Sequence, residues 1–278
     1  MSTRVLVGLT VDTYQGIPPA FLLRQVRRLG VEFAEVTISI FQDIENVVRN
    51  AKGLKLGLHL PIFSQEGFDF SCIEKQAEIN QIIDQINLNW QRLNLQYVLS
   101  HPTENHLFET QYRVSEELLF KNLQKLQPPL LLENTLENEA FHFDDFLART
   151  EKILGSQLIG ICFDGPHAFI SRENWFDLLT THFDRVRLVH LSDCSKKQDL
   201  HIPFGGIGEL PVHRILDFLR QRRYRGIVNL EIMPKSPTDM ASVLNSYLLM
   251  LRYLNRKKYY QMRLRSTILL WLLHRWLR

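Results

Sequence analysis

Cysteine is scarce in this chain: Cys72, Cys162 and Cys194 are three among 278 residues, an odd number with no paired spacing. That suits free thiols in a reducing compartment better than a disulfide framework. No apolar run approaches the roughly 20 residues that span a bilayer. The amino terminus, Met-Ser-Thr-Arg-Val-Leu-Val-Gly-Leu, lacks the apolar stretch and small-residue cleavage site of a secretory signal and reads as a first strand. A cytoplasmic protein is the expectation. No Gly-x-Gly-x-x-Gly follows that strand, which removes support for a dinucleotide-binding sheet. Internal repeats, low-complexity segments and Pro/Gly/Ser-rich linkers are absent as well. The economical organisation is one domain over residues 1–254 with a basic, apolar helical extension over 255–278. Acidic residues are missing from the end of the chain: from Arg252 onward there are eight Lys/Arg and no Asp or Glu. Residues 1–251 therefore hold the other 25 basic side chains against all 30 acidic ones, a net of −5. A mildly acidic body speaks against a broad nucleic-acid surface, because phosphate binding leans on clustered cations.

What is present is an alternation of short β-branched or Leu-rich runs with longer helical patterns, the signature of βα units. Strand candidates are Val5–Thr10, Phe33–Ile38, Lys55–Leu60, Tyr97–His101, Leu130–Asn134, Ile159–Asp164, Arg187–Ser192 and Ile227–Ile232. The clearest helix is Ile73–Leu93, with Ile79, Ile82, Ile83, Ile86 and Trp90 on one stripe. Others are Pro18–Leu29, Ser115–Leu126, Phe143–Leu154, Val212–Arg222 and Met240–Leu254. Eight strands alternating with helices, without the dinucleotide fingerprint, predict a (β/α)₈ TIM barrel.

The strand ends carry the chemistry. The third ends at His59, the fourth at His101, the fifth at Glu133, and the sixth at Asp164 with His167 three residues on. The seventh carries His190, with Asp199 and His201 in the following loop, and the eighth carries Glu231. A barrel gathers these ends at one mouth, where active sites lie. Five imidazoles and four carboxylates without Cys make a nitrogen/oxygen site suited to Zn²⁺, Mn²⁺, Fe²⁺ or Co²⁺. Four carboxylates cannot stay ionised together in a cleft without cations between them. Taken singly, a His or Asp at a strand end is as readily a cap or a hydrogen-bonding group, and Glu133 or Glu231 a carboxylate satisfied by Lys or by amides. Recurrence at six strand ends argues for metal. Trp90, Trp175 and the Phe residues follow core spacing. His106, His142, His182, His213 and His274 fall away from the strand tips, and Cys194 has no partner spacing that would make it a ligand.

With these residues in hand, the sequence resembles the xylose isomerase-like TIM-barrel superfamily, which holds endonuclease IV (AP endonuclease family 2) and many sugar-phosphate isomerases and epimerases. The resemblance spans about residues 5–250, and the ligand order is nearest to endonuclease IV, whose order is His, His, Glu, Asp-x-x-His, His, Asp-x-His and Glu. It implies up to three zinc ions. His59 and His101 would bind one, with Glu133 bridging to a second that Asp164, His190 and Glu231 complete; His167, Asp199 and His201 would hold a third. The isomerase branch implies a single Mn²⁺ or Mg²⁺ on Glu133, Asp164, His190 and Glu231, with His167 touching substrate. The sequence departs from endonuclease IV in its DNA-reading parts: Ile62 stands where that family has Tyr, and the loop Thr37-Ile-Ser-Ile-Phe-Gln-Asp contains no Arg. Asp199-Leu-His201 replaces Asp-Arg-His, and His101-Pro-Thr103 replaces His-Pro-Gly.

The leading expectation is hydrolysis of a phosphoester by water that two or three cations activate, with Glu133 orienting it. The alternative is sugar-phosphate isomerisation or epimerisation, with Glu133 and Glu231 moving a proton beside a carbonyl. A barrel that binds without catalysis is a third class. A small phosphorylated or sugar substrate is expected rather than DNA, and no obligate protein partner. Lys196 and Lys197 are candidate phosphate contacts or solvated surface, and Gly205, Gly206 and Gly208 an anion-approaching loop or simply a loop. The run from Ile268 to Leu277 suits either a membrane-surface helix or a ninth helix packed on the barrel.

Overall fold

The computed structural model describes residues 4–105, 107, 109–232, 234, 236 and 239–276, with side chains described through Ser266. His106 and the side chain of His274 lie outside the described residues, as do the side chains of the apolar run 268–277. Eight parallel strands close into a barrel in sequence order. They are β1 (Leu6–Val11), β2 (Phe33–Val36), β3 (Lys55–His59), β4 (Leu95–Ser100), β5 (Leu130–Glu133), β6 (Leu158–Asp164), β7 (Val186–Leu191) and β8 (Ile227–Leu230). All eight expected strands are present, their ends shifted by one or two residues. Around them run α1 (Pro19–Leu29), α2 (Ile44–Asn50), α3 (Phe63–Glu66), α4 (Gln76–Asn89), α5 (Glu116–Gln124), α6 (Phe143–Leu154), α7 (Gly165–Ser171), α8 (Trp175–Thr181), α9 (Val212–Gln221), α10 (Asp239–Leu254) and α11 (Arg256–Trp276).

The long expected helix over 73–93 splits at its start. Ile73–Lys75 form a tight 3₁₀ turn, and α4 buries Ile79, Ile82, Ile83 and Ile86 against the strands. Ser115, expected inside α5, caps it instead, its hydroxyl accepting from the Leu118 amide at 3.3 Å. The short α2, α3, α7 and α8 have no counterpart among the expected helices. Each spans seven residues or fewer, too short for a hydrophobic period to register. At the chain end, α11 packs on α10 and against α1, with Lys258 3.6 Å from Glu32. Among the described residues no helix is long and apolar enough to cross a membrane.

Side chains alternate in and out along a strand, and that phase positions the site. Leu6, Phe33, Tyr97, Leu99, Leu131, Cys162 and Leu188 form one buried cluster inside the barrel, separate from the large core between strands and helices. Tyr97 lies 5.9 Å from Phe33, ring centre to ring centre, and Gly57 makes room for it, since a Cβ there would overlap the phenol ring. Two residues further along the strands the inward positions are no longer apolar. Leu99 leads to His101, Leu131 to Glu133, Cys162 to Asp164 and Leu188 to His190, while Gly57 leads to His59. These five expected ligands are therefore the last inward-facing residues above a packed floor.

Candidate metal centre

Glu133 stands at the middle of the mouth, 1% exposed. Its Oε2 lies 3.3 Å from His101 Nε2 and 3.6 Å from His59 Nε2, and its Oε1 3.3 Å from His190 Nδ1. His190 Nδ1 is also 3.0 Å from Glu231. Asp164, beside His190 in the strand register, completes the group. Two sets of ligand atoms result, each with all atoms within 4.8 Å of one another: His59–His101–Glu133, and Glu133–Asp164–His190–Glu231. They share Glu133. Cys162 meets the same distance criterion with Glu133 and His190, but burial holds its thiol far above the usual range.

The remaining three expected ligands lie on the rim. Asp164 caps α7 by accepting from the His167 amide at 2.6 Å, which sets His167 over the mouth. Asp199 Oδ2 is 3.3 Å from His167 Nε2 and 2.8 Å from His201 Nε2. This trio converges on one carboxylate oxygen and is looser than the two sets around Glu133. His201 has φ 45°, a left-handed conformation that costs a β-carbon residue on the order of 1 kcal/mol and that concentrates at functional sites.

Every one of the five imidazoles has one ring nitrogen tied from behind and the other turned inward. His59 Nδ1 donates to the Leu60 carbonyl (2.7 Å), His101 Nδ1 to Glu104 (2.8 Å) and His167 Nδ1 to the Asn134 carbonyl (2.9 Å). His190 Nε2 lies 3.0 Å from Glu35 Oε1, and His201 Nδ1 3.3 Å from the Glu231 carbonyl. Backing of this kind fixes the tautomer and the ring direction of a metal-binding histidine. In front, His101 Nε2, Glu133 Oε2, His190 Nδ1 and Asp199 Oδ1 are buried without a hydrogen-bond partner. Buried polar atoms are rarely left so, and these converge where a cation would satisfy them. The donor set fits a divalent metal.

Titration tells the same story. Burial opposes charge on His101, yet Glu133 and Glu104 hold the imidazole up to about 10. His201 is likewise raised to about 9 against its burial, by Asp199 and Glu231, and His167 and His190 lie well above the usual value. Burial would raise Glu231, but His190 and His201 bring it to about 2; Glu133 is also well below the carboxylate range. Asp164 goes the other way, to about 7, because burial and the neighbouring acids outweigh His167. Without a cation, protons on the imidazoles carry the compensating charge.

Sequence reasoning missed the residues that do the backing. Glu35 on β2 is fully buried, accepting from Tyr97 Oη at 2.5 Å and facing His190. Glu104 also accepts from the Phe63 amide at 3.1 Å. Asn134 exchanges hydrogen bonds with the Asp164 main chain. An acid inside the run Phe-Ala-Glu-Val was the available signal for Glu35. The outer candidates have structural partners: Lys196 Nζ donates to the carbonyls of Phe169 and Arg172 over the Phe169 ring. A Cβ at Gly208 would overlap the Asp193 carboxylate, which also accepts from the Cys194 and Leu210 amides. The anion that this glycine loop approaches is the protein's own Asp193.

Two cavities open on the centre. One of about 270 Å³ is bounded by His101, Glu133, His167, Asp199, His201 and Ile62. The other, about 410 Å³, runs from His59 and Glu231 towards β1, α1 and α10. Gln65 and Glu231 line both. No described Lys or Arg lines either; Lys235, next to Pro234 of the larger cavity, lies outside the described residues.

Residues 23–247 match the family described as xylose isomerase-like TIM barrel. Among solved structures, a D-tagatose 3-epimerase-like protein is similar at 17% identity and TM-score 0.67, covering 90% of this chain and 97% of that one. Endonuclease IV from Thermus thermophilus is similar at 17% identity and TM-score 0.61, covering 89% and 99%. A D-psicose 3-epimerase determined in the presence of D-fructose is similar at 15% identity and TM-score 0.63, covering 90% and 99%. No curated protein matches the sequence. At these identities the solved structures share the fold.

Proposed function

The chain belongs to the xylose isomerase-like TIM-barrel family, and we propose that within it this protein is a phosphoester hydrolase with a two-ion centre, acting on small substrates rather than DNA. One observation carries the reading: Glu133 is shared by two ligand sets, and Glu133 Oε2, His101 Nε2 and His190 Nδ1 are buried without hydrogen-bond partners. A one-ion isomerase centre would leave His59 and His101 unexplained. His59, His101 and Glu133 would hold one ion, and Glu133, Asp164, His190 and Glu231 the other; the nitrogen/oxygen donors suit Zn²⁺. When bound, the ions would supply Lewis-acid stabilisation of charge developing on the phosphoryl oxygens.

The chain's own residues supply the rest. Glu231 borders both cavities, so it can accept a hydrogen bond from an attacking water and orient it. His167 and His201, held protonated around Asp199, stand on the rim of the smaller cavity and can return a proton to the leaving oxygen. The backing by Glu35 and Glu104 keeps His190 and His101 from turning away.

A second reading, epimerisation or isomerisation of a sugar on a single ion, is favoured by the four-ligand set being complete in itself. Elemental analysis of zinc- and manganese-loaded protein, followed by a screen of phosphate esters, keto and aldo sugar phosphates and abasic duplex DNA, separates the two. Two ions per chain and phosphate release are expected, with His101→Ala retaining one ion and losing turnover by about 100-fold or more. One ion, sugar turnover and an indifferent His101→Ala would establish the isomerase instead. Rapid cleavage of abasic DNA would reject the small-substrate assignment.

A further inference from the structure

The larger cavity differs in character from the mouth it joins. Leu22 and Val26, one helical turn apart on α1, face Met240 and Val243 of α10, and Leu230 and Ile232 close the wall between them. The polar groups on its other side are mostly engaged within the protein. Thr10 Oγ1 accepts from Asn229 at 2.9 Å, and Asp12 Oδ1 accepts from the Ser39 hydroxyl at 2.5 Å and the Thr13 amide at 2.6 Å. Tyr14 differs, because its hydroxyl is buried with no hydrogen-bond partner. About 410 Å³ falls within the range of small-molecule sites. The cavity is continuous with the centre through Glu231 and Gln65.

We propose that this cavity receives an apolar substituent of the substrate, aliphatic or aromatic, whose polar head reacts at Glu133 and Glu231 and which offers one hydrogen-bonding atom to Tyr14. The inference rests on the centre being the place of reaction, and it deepens that reading by naming an amphiphilic substrate class. A hydroxyl placed on the side of Leu22, Val26, Leu230, Ile232 and Val243 would find no partner there, and unpaired buried hydroxyls are costly. An apolar group would instead gain from leaving water.

The test is a chain-length series bound to the metal-loaded full-length protein by calorimetry: methyl-, butyl- and hexylphosphonate, and the matching n-alkyl β-glucosides. Hexyl should bind about tenfold or more tighter than methyl on at least one head group, since each buried methylene contributes favourably. Filling the cavity with Val26→Phe or Val243→Phe should bring the hexyl-to-methyl ratio towards one. A ratio near one in the unaltered protein, or no binding by any member of either series, overturns the proposal. So does a gain that survives in a folded filling variant. If neither variant folds, the ratio in the unaltered protein still decides. A length-dependent gain with glucosides but not phosphonates would leave the cavity assignment standing and reject the phosphoesterase reading.

Discussion

Glu35 lies below the mouth, and its importance comes from what it touches. It meets the nitrogen of His190 that faces away from the carboxylates, and it is itself fixed by the Tyr97 hydroxyl. Glu104 has the same relation to His101. The two acids back different ligand sets, so their substitutions should be separable. Glu35→Gln should weaken the Glu133–Asp164–His190–Glu231 set by about 10–100-fold and spare the other; Glu104→Gln should do the reverse. Titration of the metal-free protein with Co²⁺, following the visible absorption of each binding phase, reads the two affinities. Equal weakening of both phases, or of neither, would mean that these acids serve the fold alone. His59 offers an internal comparison, because its backing partner is a main-chain carbonyl that no substitution removes.

At the scale of the elements, the barrel's inward period explains why so much was legible. A strand tip announces its candidate ligand locally: His59, His101, Glu133, Asp164, His190 and Glu231 each end or follow a largely apolar run, and His101, Glu133, Asp164 and His190 stand two residues above a floor position. Asp164-Gly-Pro-His additionally contains its own helix start, with the cap and a proline in the first turn. Glu35 shows in the sequence only as an acid inside an apolar run; its role and that of Glu104 are set by partners 155 and three residues away, respectively, across a closed sheet and a turn. Nor could sequence show that Asp193 occupies the glycine loop, or that His167, Asp199 and His201 would meet on one oxygen rather than in a tighter cluster. The floor makes its own prediction. Gly57→Ala pushes a methyl into the Tyr97 ring, and overpacking of this kind costs about 1–3 kcal/mol. Urea unfolding should show a lower midpoint at unchanged slope. Because Tyr97 holds Glu35, the variant should also weaken cobalt binding at the His190 set; unaltered binding would show that the floor and the centre are mechanically independent.

For the molecule as a whole, the site's charge balance ties stability to pH in opposite directions with and without metal. In the metal-free protein His101 is raised to about 10 and His201 to about 9, both above the ordinary 6.5. A raised imidazole stabilises the fold fully below 6.5, and that contribution is lost as pH climbs through 9 and 10. Asp164, raised from 3.8 to about 7, also binds more protons folded than unfolded, so between those values it too makes stability fall with rising pH. Glu231, lowered from 4.5 to about 2, stabilises above 4.5 and loses this as acid is added. The metal-free chain should therefore be most heat-stable in the mildly acidic range and weaken steadily towards pH 9–10. Metal reverses the sign, because imidazole and carboxylate ligands must give up their protons to bind it. Affinity should rise with pH, and calorimetry in buffers of different ionisation enthalpy should register proton release on binding. Melting curves of chelator-treated and zinc-loaded protein between pH 5 and 9 should diverge progressively, the loaded form gaining over the metal-free one at each step. Parallel curves would mean that the histidines do not bind the metal, and the two-ion assignment would fall with them.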